Sequence, residues 1–579
     1  MRPLAAAARR FVSDAQESSR MTESVTERLT AGVRAAVDKA GLPEPERCVW
    51  EVPRQAEHGD WATNVAMQLA RAARRPPRAV AELIASHFPA LPEVERVDVA
   101  GPGFLNVTLS PAWCAGALRT ILAEGEAYGR GRALAGTRAR LEFVSANPTG
   151  PLVIVNARAA AVGDALARLL RAQGAHVVTE YYVNDAGNQF EALARSFEAR
   201  VRQRLGQDAS LPEPGYPGEY LIDLARDYVA ASGEAGARRA LEAPEPTRLQ
   251  HFGRWAVDRI VAEQRRVLAD YGVEFDVWRS EQRDVRDRGL PERAVAELTR
   301  RGLTHEHEGA LWFRSPEFGD DKERVLRRSS GEFTYFAVDL AYHHYLKFEG
   351  VDRVINLFGP DHHGYVPRLR AALTALGHPP EALEVLIVQL VTLLREGEPV
   401  RMSKRRGEFV LMEDLLEEVG RDAARFTFLT RRHDSPLEFD LAVATRQSAD
   451  NPVYYVQYAH ARIAGILREA AAQARQPAAP ANPHAVALAP LEHEREAALI
   501  HTLAEFPEVV RVAGLRREPH RLCAYAREVA EAFHLFYTHC RVLGDDARLS
   551  AARLALVEAT RTVLRRVLGL LGVTAPERM

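Results

Sequence analysis

The sequence predicts an α/β protein built around a parallel sheet covered by helices, with an almost entirely helical C-terminal part. Two strand–helix–strand units indicate the sheet: one runs from Arg140 to Val183 and the other from Arg353 to Leu394. Beyond about residue 410 the pattern is helical, except for a Pro/Ala-rich stretch at 474–490 that predicts a loop or linker. The 579 residues are enough for about three to five domains of ordinary size.

The N-terminal region is predicted to be a short extension followed by a small α/β module. Residues 1–20 are rich in Ala, Arg and Ser, and we expect a disordered extension rather than a transit peptide. Ser24, with Glu27 three residues later, predicts the capped start of a helix. Residues 21–115 then alternate helical patterns with short strands, and Gly101-Pro102-Gly103 separates the last two strands.

In the first strand–helix–strand unit, a turn rich in Pro and Gly separates a buried strand from a helix. Arg140–Ser145 has the apolar, branched character of a buried strand, and a helix is predicted from about 156 to 173 before the second strand, Val177–Val183. Glu142 is a carboxylate within the first strand, where a paired acid is favoured over an exposed edge residue. The carboxyl end of such a strand, followed by a helix N-terminus, is a typical place for a phosphate-bearing ligand.

The second unit follows a mostly helical region, 190–330, whose Pro/Gly-rich stretch LPEPGYPGEY (211–220) indicates an inserted subdomain. Arg353–Phe358 predicts a strand, GPDHHG (359–364) a polar turn, and 385–394 a second strand, with a helix to Leu376 between them. Adjacent histidines on a turn rarely share one ion, and no Cys or acidic residue has the spacing that would complete a site, so we expect no dedicated metal site.

The composition limits the classes of function. With 47% hydrophobic and 27% charged residues the chain is globular, and a net charge of −2 means that any nucleic-acid partner must be bound by local patches. Four cysteines without a CxxC pair argue against a zinc ribbon or a disulfide framework and fit a reducing compartment. We see no apolar run of about 18 residues, so no membrane span is predicted.

Lysine is rare in this chain: only Lys39, Lys322, Lys347 and Lys404 occur among 76 basic residues. A coding bias toward arginine explains the count, so each retained lysine is only a weak indication that an ammonium is required there. Lys404 lies in VRMSKRRGEF (400–409), a Gly-containing loop after a strand, where an ammonium can contact a phosphate among neighbouring arginines. Considered alone, such a short match is better explained by a solvated basic turn.

A helix near the C-terminus has one aromatic and basic face. Asp450-Asn451-Pro452 predicts the helix start, and Tyr455, Tyr458 and Arg462 then fall on a single face. Aromatic rings with a guanidinium suit the stacking of unpaired bases and phosphate contact, although a core stripe is the simpler explanation for the pattern alone.

Taken together and in order, the motifs resemble the arginyl-tRNA synthetases, a family of class I aminoacyl-tRNA synthetases. The resemblance spans 21–579 and is carried by SANPTGP (145–151), YYVNDAGNQ (181–189), YPGEY (216–220), TYFAVDLAYH (334–343), GPDHHGY (359–365), RMSKR (401–405), NPVYYVQYAHARI (451–463) and LGLLGVTAPERM (568–579).

The resemblance implies an organisation, a reaction and a set of partners. The domains would be a tRNA-binding module (21–115), a Rossmann-type catalytic domain (116–410) with an insertion at about 190–285, a connecting helical segment (411–450) and a helical anticodon-binding domain (451–579). The reaction would convert L-arginine and ATP, with Mg²⁺, to arginyl-adenylate and then transfer arginine to tRNA(Arg). A cytoplasmic monomer is the corresponding expectation.

The resemblance also implies site residues. Catalysis is assigned to Asn156, Arg401, Ser403 and Lys404. ATP binding is assigned to Pro148, Thr149, Gly150, Asn156, Arg158, Gly359, Asp361, His362, Met402 and Lys404. Arginine binding is assigned to Glu142, Ser145, Asn147, Tyr335, Asp339, His362 and His363. Binding of tRNA is assigned to Tyr455, Tyr458 and Arg462. Glu142 and Asp339 supply the negative charge for the guanidinium and the α-ammonium of arginine, and the sequence leaves open which carboxylate takes which end.

One motif departs from the family. Class I synthetases carry His-x-Gly-His where this chain has Val153-Ile154-Val155-Asn156. The histidines donate hydrogen bonds to the ATP phosphates in the family, and losing one such donor costs on the order of 3–4 kcal/mol. Asn156 keeps an amide donor, which we expect within reach of a phosphate oxygen, whereas Val155 replaces a glycine against which adenine packs.

Two interpretations of this departure remain. We favour an active enzyme in which Asn156, Arg158, Lys404 and the 359–364 turn share the phosphate contacts, because the other motifs are retained. The alternative is a catalytically weakened paralogue that binds tRNA or arginine. A nucleotide-binding interaction protein without tRNA is disfavoured by the helix at 451–463.

Overall fold

The computed structural model of the chain describes residues 25–51, 53, 58–400, 410–474 and 486–579. Its N-terminal region is a four-stranded antiparallel sheet that packs against three helices. Gly103 sits in the turn between the last two strands with φ 138°, because a Cβ there would lie 2.8 Å from the backbone of Pro77. The elements are α1 (Val25–Lys39), β1 (Trp50–Glu51), β2 (Trp61–Thr63), α2 (Val65–Ala73), α3 (Pro77–His87), β3 (Val94–Ala100) and β4 (Phe104–Leu109).

A connecting helix leads into the first half of the central sheet, which four consecutive helices then interrupt. The last strand of this half, Val277–Ser280, pairs in parallel with its neighbour in the sheet, so the four helices end before it. The elements are α4 (Pro111–Glu124), β5 (Arg138–Glu142), α5 (Ile154–Ala172), β6 (His176–Val183), α6 (Gly187–Arg204), α7 (Tyr220–Ser232), α8 (Glu234–Leu241), α9 (Glu245–Asp270) and β7 (Val277–Ser280).

The second half of the sheet follows a small antiparallel sheet. One helix of this half continues into a π-helical turn, His343–Lys347, and a 3₁₀ turn, Pro360–Tyr365, follows the next strand. The elements are α10 (Leu290–Arg300), β8 (Thr304–His307), β9 (Ala310–Phe313), β10 (Arg324–Arg327), α11 (Tyr335–Tyr342), β11 (Arg353–Phe358), α12 (Val366–Ala375) and β12 (Leu383–Ile387).

The central sheet has five parallel strands in the order β12-β11-β5-β6-β7, which confirms the predicted parallel sheet. Strand order reverses between β11 and β5, and ligands of such sheets bind at this point, beyond the carboxyl ends of the strands. Side chains alternate between the two faces. Leu141 and Tyr181 belong to the same apolar core as the helix α5, while Glu142 and its neighbours point to the other face.

The run predicted as one strand over 385–394 is two strands in different sheets. After β12 the chain turns away because the Val388 amide donates to Phe358 O (2.8 Å) and the Gln389 amide to His433 O (2.8 Å). Val391–Arg395 then forms β13, which pairs with β14 (Glu398–Pro399) and, in parallel, with β15 (Leu437–Asp440). The segment 411–450, predicted as helical, therefore also contributes a strand, in which Leu437 and Phe439 are buried.

The C-terminal part is a bundle of helices, as the sequence predicts. In the ranges that the structure describes, no helix has the length and apolarity needed to cross a membrane. The helices after the central sheet are α13 (Met412–Val419), α14 (Arg421–Leu429), α15 (Leu441–Thr445), α16 (Pro452–Ala474), α17 (Glu494–Ala504), α18 (Phe506–Arg516), α19 (His520–His539) and α20 (Ala547–Leu571).

Candidate active site

Three polar residues form a row across the central sheet at its switch point. Glu142, the last residue of β5, pairs in register with Asn356 of β11 on one side and with Glu180 of β6 on the other. All three side chains are buried. Buried carboxylates require partners, so the neighbours of this row determine the electrostatics of the site.

Lys347 is the partner of Glu142, and no role is predicted for it from the sequence. Its side chain is completely buried, and its ammonium bonds the Glu142 carboxylate, Asn356 Oδ1 (2.5 Å) and His343 Nε2 (3.1 Å). An ammonium has three N–H donors and here meets three acceptors. The scarcity of lysine is a sequence signal for Lys347 as much as for Lys404.

His343 links this ammonium to Asp339. Both Lys347 Nζ and Asn356 Nδ2 (2.9 Å) are donors facing His343 Nε2, so that nitrogen accepts and the ring proton lies on Nδ1. Nδ1 lies 3.1 Å from Asp339 Oδ1 and 2.8 Å from its backbone oxygen. Burial raises the pKa of Asp339, but His343, Lys347 and a hydrogen bond from Tyr365 outweigh it, so its pKa is below the usual range. Asp339 is therefore a carboxylate at neutral pH.

The other acid of the row, Glu180, is neutralised inside the protein. Its side chain is fully buried and bonds the Arg140 guanidinium and the Tyr342 hydroxyl. Both carboxylate oxygens of Glu142 are also bonded within the protein, because Ser145 Oγ donates to Oε1 (2.7 Å) and Lys347 Nζ donates to Oε2. Asp339 differs from both: 27% of its side chain is exposed, one helical turn after the exposed Tyr335.

The turn after β5 is strained. Val144 and Ser145 have φ values of 66° and 38°, a region that costs an L-residue about 1–3 kcal/mol. Ser145 Oγ accepts from the Tyr182 amide (3.1 Å) as well as donating to Glu142, and these bonds fix the turn. The predicted strand ends at Glu142 rather than at Ser145 for this reason.

Helices of the insertion hold the remainder of the turn through its backbone oxygens. Gln264 of α9 donates to Gly150 O (2.9 Å) and Asn147 O (3.3 Å), and the Tyr220 hydroxyl of α7 donates to Thr149 O. Pro148 is buried and the Asn147 side chain is exposed. No local signal marks Gln264, because it is 114 residues from Gly150 in sequence.

The helix α5 begins where the histidine motif of the family would lie. Asn156 Oδ1 accepts from the Val153 amide (2.9 Å), which fixes the side-chain amide, and no residue that the structure describes bonds its Nδ2. Val155 is 41% exposed. The Ile154 amide donates to Val410 O (3.2 Å), so Val410 lies beside this helix start. Arg401, Met402, Ser403 and Lys404 lie outside the described residues.

Arg158 does not have the role expected for it. Its guanidinium is buried and donates to four backbone oxygens, those of Gln389 (2.8 Å), Leu390 (3.2 Å), Arg432 (2.9 Å) and Ser435 (2.8 Å). Burial lowers its pKa to about 10. The expected contact with ATP is therefore corrected: both terminal nitrogens join α5 to the segments after β12 and α14.

The turn after β11 lies across the switch point from β5. The His362 amide donates to Gly359 O (3.1 Å), and the exposed His362 ring packs on Phe358 with centroids 5.1 Å apart. Its Nε2 lies 3.4 Å from Asp361 Oδ2. The side chain of His363 is not among those described.

The predicted aromatic face of α16 is extended by α19. Tyr458 and Arg462 are exposed, while Tyr455 is half-buried with its ring 5.0 Å from His534. The Arg462 guanidinium lies 4.8 Å from the ring centre of Tyr537 and 5.9 Å from that of Tyr458. His534 and Tyr537 belong to another helix and could not be found from the spacing on α16.

A parallel sheet with these motifs at its switch point, followed by a helical domain, is the architecture of a class I aminoacyl-tRNA synthetase. Three family models match: "Arginyl tRNA synthetase N terminal domain" at 27–109, "tRNA synthetases class I (R), catalytic domain" at 118–440 and "DALR anticodon binding domain" at 456–579. The chain belongs to the arginyl-tRNA synthetase family.

Similar proteins support this assignment over nearly the whole chain. The arginine–tRNA ligase of Moorella thermoacetica is 49% identical over 566 residues, covering 97% of this chain and 99% of that protein. The arginine–tRNA ligase of Desulforamulus reducens is 46% identical over 561 residues, covering 96% and 98%. The solved arginyl-tRNA synthetase of Thermus thermophilus, at 24% identity, has the same fold with a TM-score of 0.73 over 96% of this chain and all of that one.

Proposed function

We propose that the chain is an arginine–tRNA ligase: it activates L-arginine with ATP to arginyl-adenylate and transfers the arginine to tRNA(Arg). Membership of the family and the match to ligases along nearly the whole chain support the reaction. The single observation that supports arginine as the amino acid is Asp339, a partly exposed carboxylate beside Tyr335 at the switch point.

We assign the guanidinium of arginine to Asp339 rather than to Glu142. A guanidinium is best bound by a carboxylate that presents two oxygens, and both oxygens of Glu142 are already bonded within the protein. Tyr335 precedes Asp339 by one helical turn and provides an exposed ring. Ser145, Asn147, His362 and His363 complete the proposed arginine pocket, with Glu142 and its ammonium partner at its base.

The proposed ATP site lies between the turn 148–150, the start of α5 and the turn 359–362. Asn156 Nδ2 is the donor we assign to a phosphate oxygen, since its Oδ1 is held by the Val153 amide. Lys404, with Arg401, Met402 and Ser403, is assigned to the phosphates because Val410, six residues after Lys404, is bonded to the start of α5. Mg²⁺ would enter with the ATP phosphates and keep most of its water ligands.

Activation would proceed when a carboxylate oxygen of arginine attacks the α-phosphorus of ATP and pyrophosphate leaves. A ribose hydroxyl at the 3′ end of tRNA then attacks the arginyl carbonyl, and AMP leaves. The exposed face of Tyr458, Arg462 and Tyr537 is the surface we assign to unpaired anticodon bases. A monomeric, cytoplasmic enzyme with a tRNA-binding N-terminal module is part of the same proposal.

Arginylation of tRNA(Arg) by the purified chain tests the proposal directly. We expect arginyl-tRNA to form with saturating ATP and Mg²⁺, and no product with citrulline, which lacks the positive charge. The Asp339→Asn variant should lose about 30-fold or more in kcat/KM for arginine, the equivalent of about 2 kcal/mol or more for removing the charge of one partner.

The control is Asp352→Asn, since Asp352 is exposed at the opposite end of the central strands, in an ion pair with Arg138. This variant should arginylate tRNA normally. Absence of arginyl-tRNA at micromolar enzyme would overturn the ligase assignment. Normal kinetics of Asp339→Asn would instead overturn only the assigned position of the guanidinium.

A further inference from the structure

A cysteine, a histidine and an aspartate from three parts of the chain are joined by hydrogen bonds, and none of them belongs to the proposed active site. Asp60 precedes β2 in the N-terminal module, Cys114 lies in the connecting helix α4, and His501 lies in α17 of the helical domain. His501 Nδ1 is 3.0 Å from Asp60 Oδ1, and His501 Nε2 is 3.2 Å from Cys114 Sγ. The imidazole therefore bridges a carboxylate and a sulfur through its two opposite nitrogens.

The surroundings hold the imidazole and the carboxylate in place. Asp60 Oδ2 accepts from the Leu109 amide (2.6 Å), and the ring of Trp113 lies 5.4 Å from that of His501. Burial raises the pKa of Asp60, but the hydrogen bonds from His501 and Leu109 outweigh it and the pKa is below the usual range. Burial lowers the pKa of His501, yet its bonds to Asp60 and Cys114 raise it to about 9. The ring therefore carries a proton on both nitrogens at neutral pH.

Among the residues that the structure describes, the other cysteines have no such partner. Cys523 and Cys540 are buried, and burial raises the pKa of each thiol. Cys48 is half-buried like Cys114, but burial raises its pKa more than the Arg34 charge lowers it. An imidazolium next to a sulfur favours the thiolate, which is the reactive form of cysteine. Cys48 is thus an internal comparison of similar exposure without the histidine.

We propose that Cys114 is a nucleophilic cysteine, hydrogen-bonded to His501, which Asp60 orients in turn, and that it is a site of oxidation by hydroperoxides, with the thiolate as the reacting form. The sulfur attacks one peroxide oxygen, an S–O bond forms and the O–O bond breaks. The second oxygen leaves as hydroxide, or as alkoxide from an organic peroxide, and takes up a proton. Sulfur is oxidised by two electrons to a sulfenic acid and the peroxide is reduced.

The position of the sulfur gives this oxidation a structural consequence. His501 is bonded to both the N-terminal module and the connecting helix, and the Cys114 sulfur is one of its two side-chain partners. A sulfenic acid adds an oxygen between Cys114 and His501 and so breaks their direct contact. We therefore expect faster backbone hydrogen exchange at the contacts of Asp60 and His501 in the oxidised protein.

The experiment follows sulfenic acid formation in the full chain. The protein is treated with hydrogen peroxide in the presence of dimedone, which traps sulfenic acids, and adducts at Cys114 and Cys48 are quantified over time by peptide mass spectrometry. We expect adducts at Cys114 to form at least tenfold faster than at Cys48. The urea-unfolded chain should show similar rates at both sites, because the difference comes from the fold.

Two variants test whether His501 causes the faster oxidation of Cys114. His501→Gln should lower the rate at Cys114 to that of Cys48, whereas His539→Gln, which changes an exposed histidine at the end of α19, should leave it unchanged. Equal rates at the two cysteines in the native wild-type chain, a comparison that requires no variant, would overturn the proposal. An unchanged Cys114 rate in a folded His501→Gln protein would do so as well. None of these measurements depends on the proposed ligase activity.

Discussion

Replacement of Lys347 by methionine removes the charge on which the candidate site depends. Methionine fills a similar volume but donates no hydrogen bond, so three buried acceptors lose their common donor: the Glu142 carboxylate, Asn356 Oδ1 and His343 Nε2. Glu142 is only 6% exposed, so water cannot replace the ammonium without opening the sheet.

Removing one partner of a buried ion pair costs about 3–5 kcal/mol, because the remaining charge stays buried without compensation. The complete burial of Lys347 places this pair among those to which that range applies. A loss of about 3–5 kcal/mol corresponds to about 150- to 5,000-fold faster hydrogen exchange of amides that exchange through opening of the sheet. Native-state exchange of peptides from β5 and β11, read by mass spectrometry, measures this quantity.

The matched control is Arg138→Met. Arg138 lies on the same strand as Glu142, but its ion pair with Asp352 is exposed at the other end of the sheet. We expect its exchange rates to stay close to wild type. The double variant Glu142→Gln/Lys347→Met should recover much of the protection, since it leaves no buried charge. Exchange in Lys347→Met within about fivefold of wild type would refute the idea that Lys347 neutralises Glu142.

Three further outcomes are expected. Lys404→Arg should lower kcat for arginylation about tenfold or more if a compact ammonium is needed at the phosphates, and near-normal turnover would exclude Lys404 from the mechanism. Tyr458→Ala should raise KM for tRNA about 5- to 150-fold through the loss of base stacking, while kcat stays near wild type. His501 has its pKa raised from 6.5 to about 9, so its contribution to stability is complete below pH 6.5 and is lost as the pH rises through 9. Between pH 6.5 and pH 9, the free energy of unfolding measured in urea should fall by at most about 3 kcal/mol in wild type. This fall should be absent from His501→Gln.

The sequence predicted those elements whose ends carry a local signal. The strand Arg353–Phe358 was predicted with its observed bounds, because Gly359-Pro360 ends an apolar run. The helix at Pro452 begins where the Asn-Pro pair indicates. The division of 385–394 into two strands could not be predicted, since the apolar run is unbroken and the division depends on the carbonyls of Phe358 and His433, which are distant in sequence.

The site was predictable in its motifs but not in its internal bonds. Glu142 was recognised as a paired acid, yet its partner comes from a π-helical turn 205 residues later. Arg158 has a sequence context that indicates a ligand contact, and only the fold shows that four carbonyl oxygens surround its guanidinium. For both residues the type of side chain can be read from the sequence, whereas the partner that it bonds depends on tertiary structure.

Rarity of lysine becomes informative once burial is known. Lys39 and Lys322 are exposed, where a guanidinium serves as well as an ammonium. At Lys347 three acceptors converge on a single nitrogen, and a guanidinium spreads its donors over a larger plane that the closed space does not admit. We therefore expect Lys39→Arg and Lys322→Arg to keep wild-type stability and Lys347→Arg to lose about 1–3 kcal/mol or more to overpacking. Equal denaturant midpoints for all three variants would mean that the lysine at 347 is as replaceable as the others, and that the composition, not the site, explains its presence.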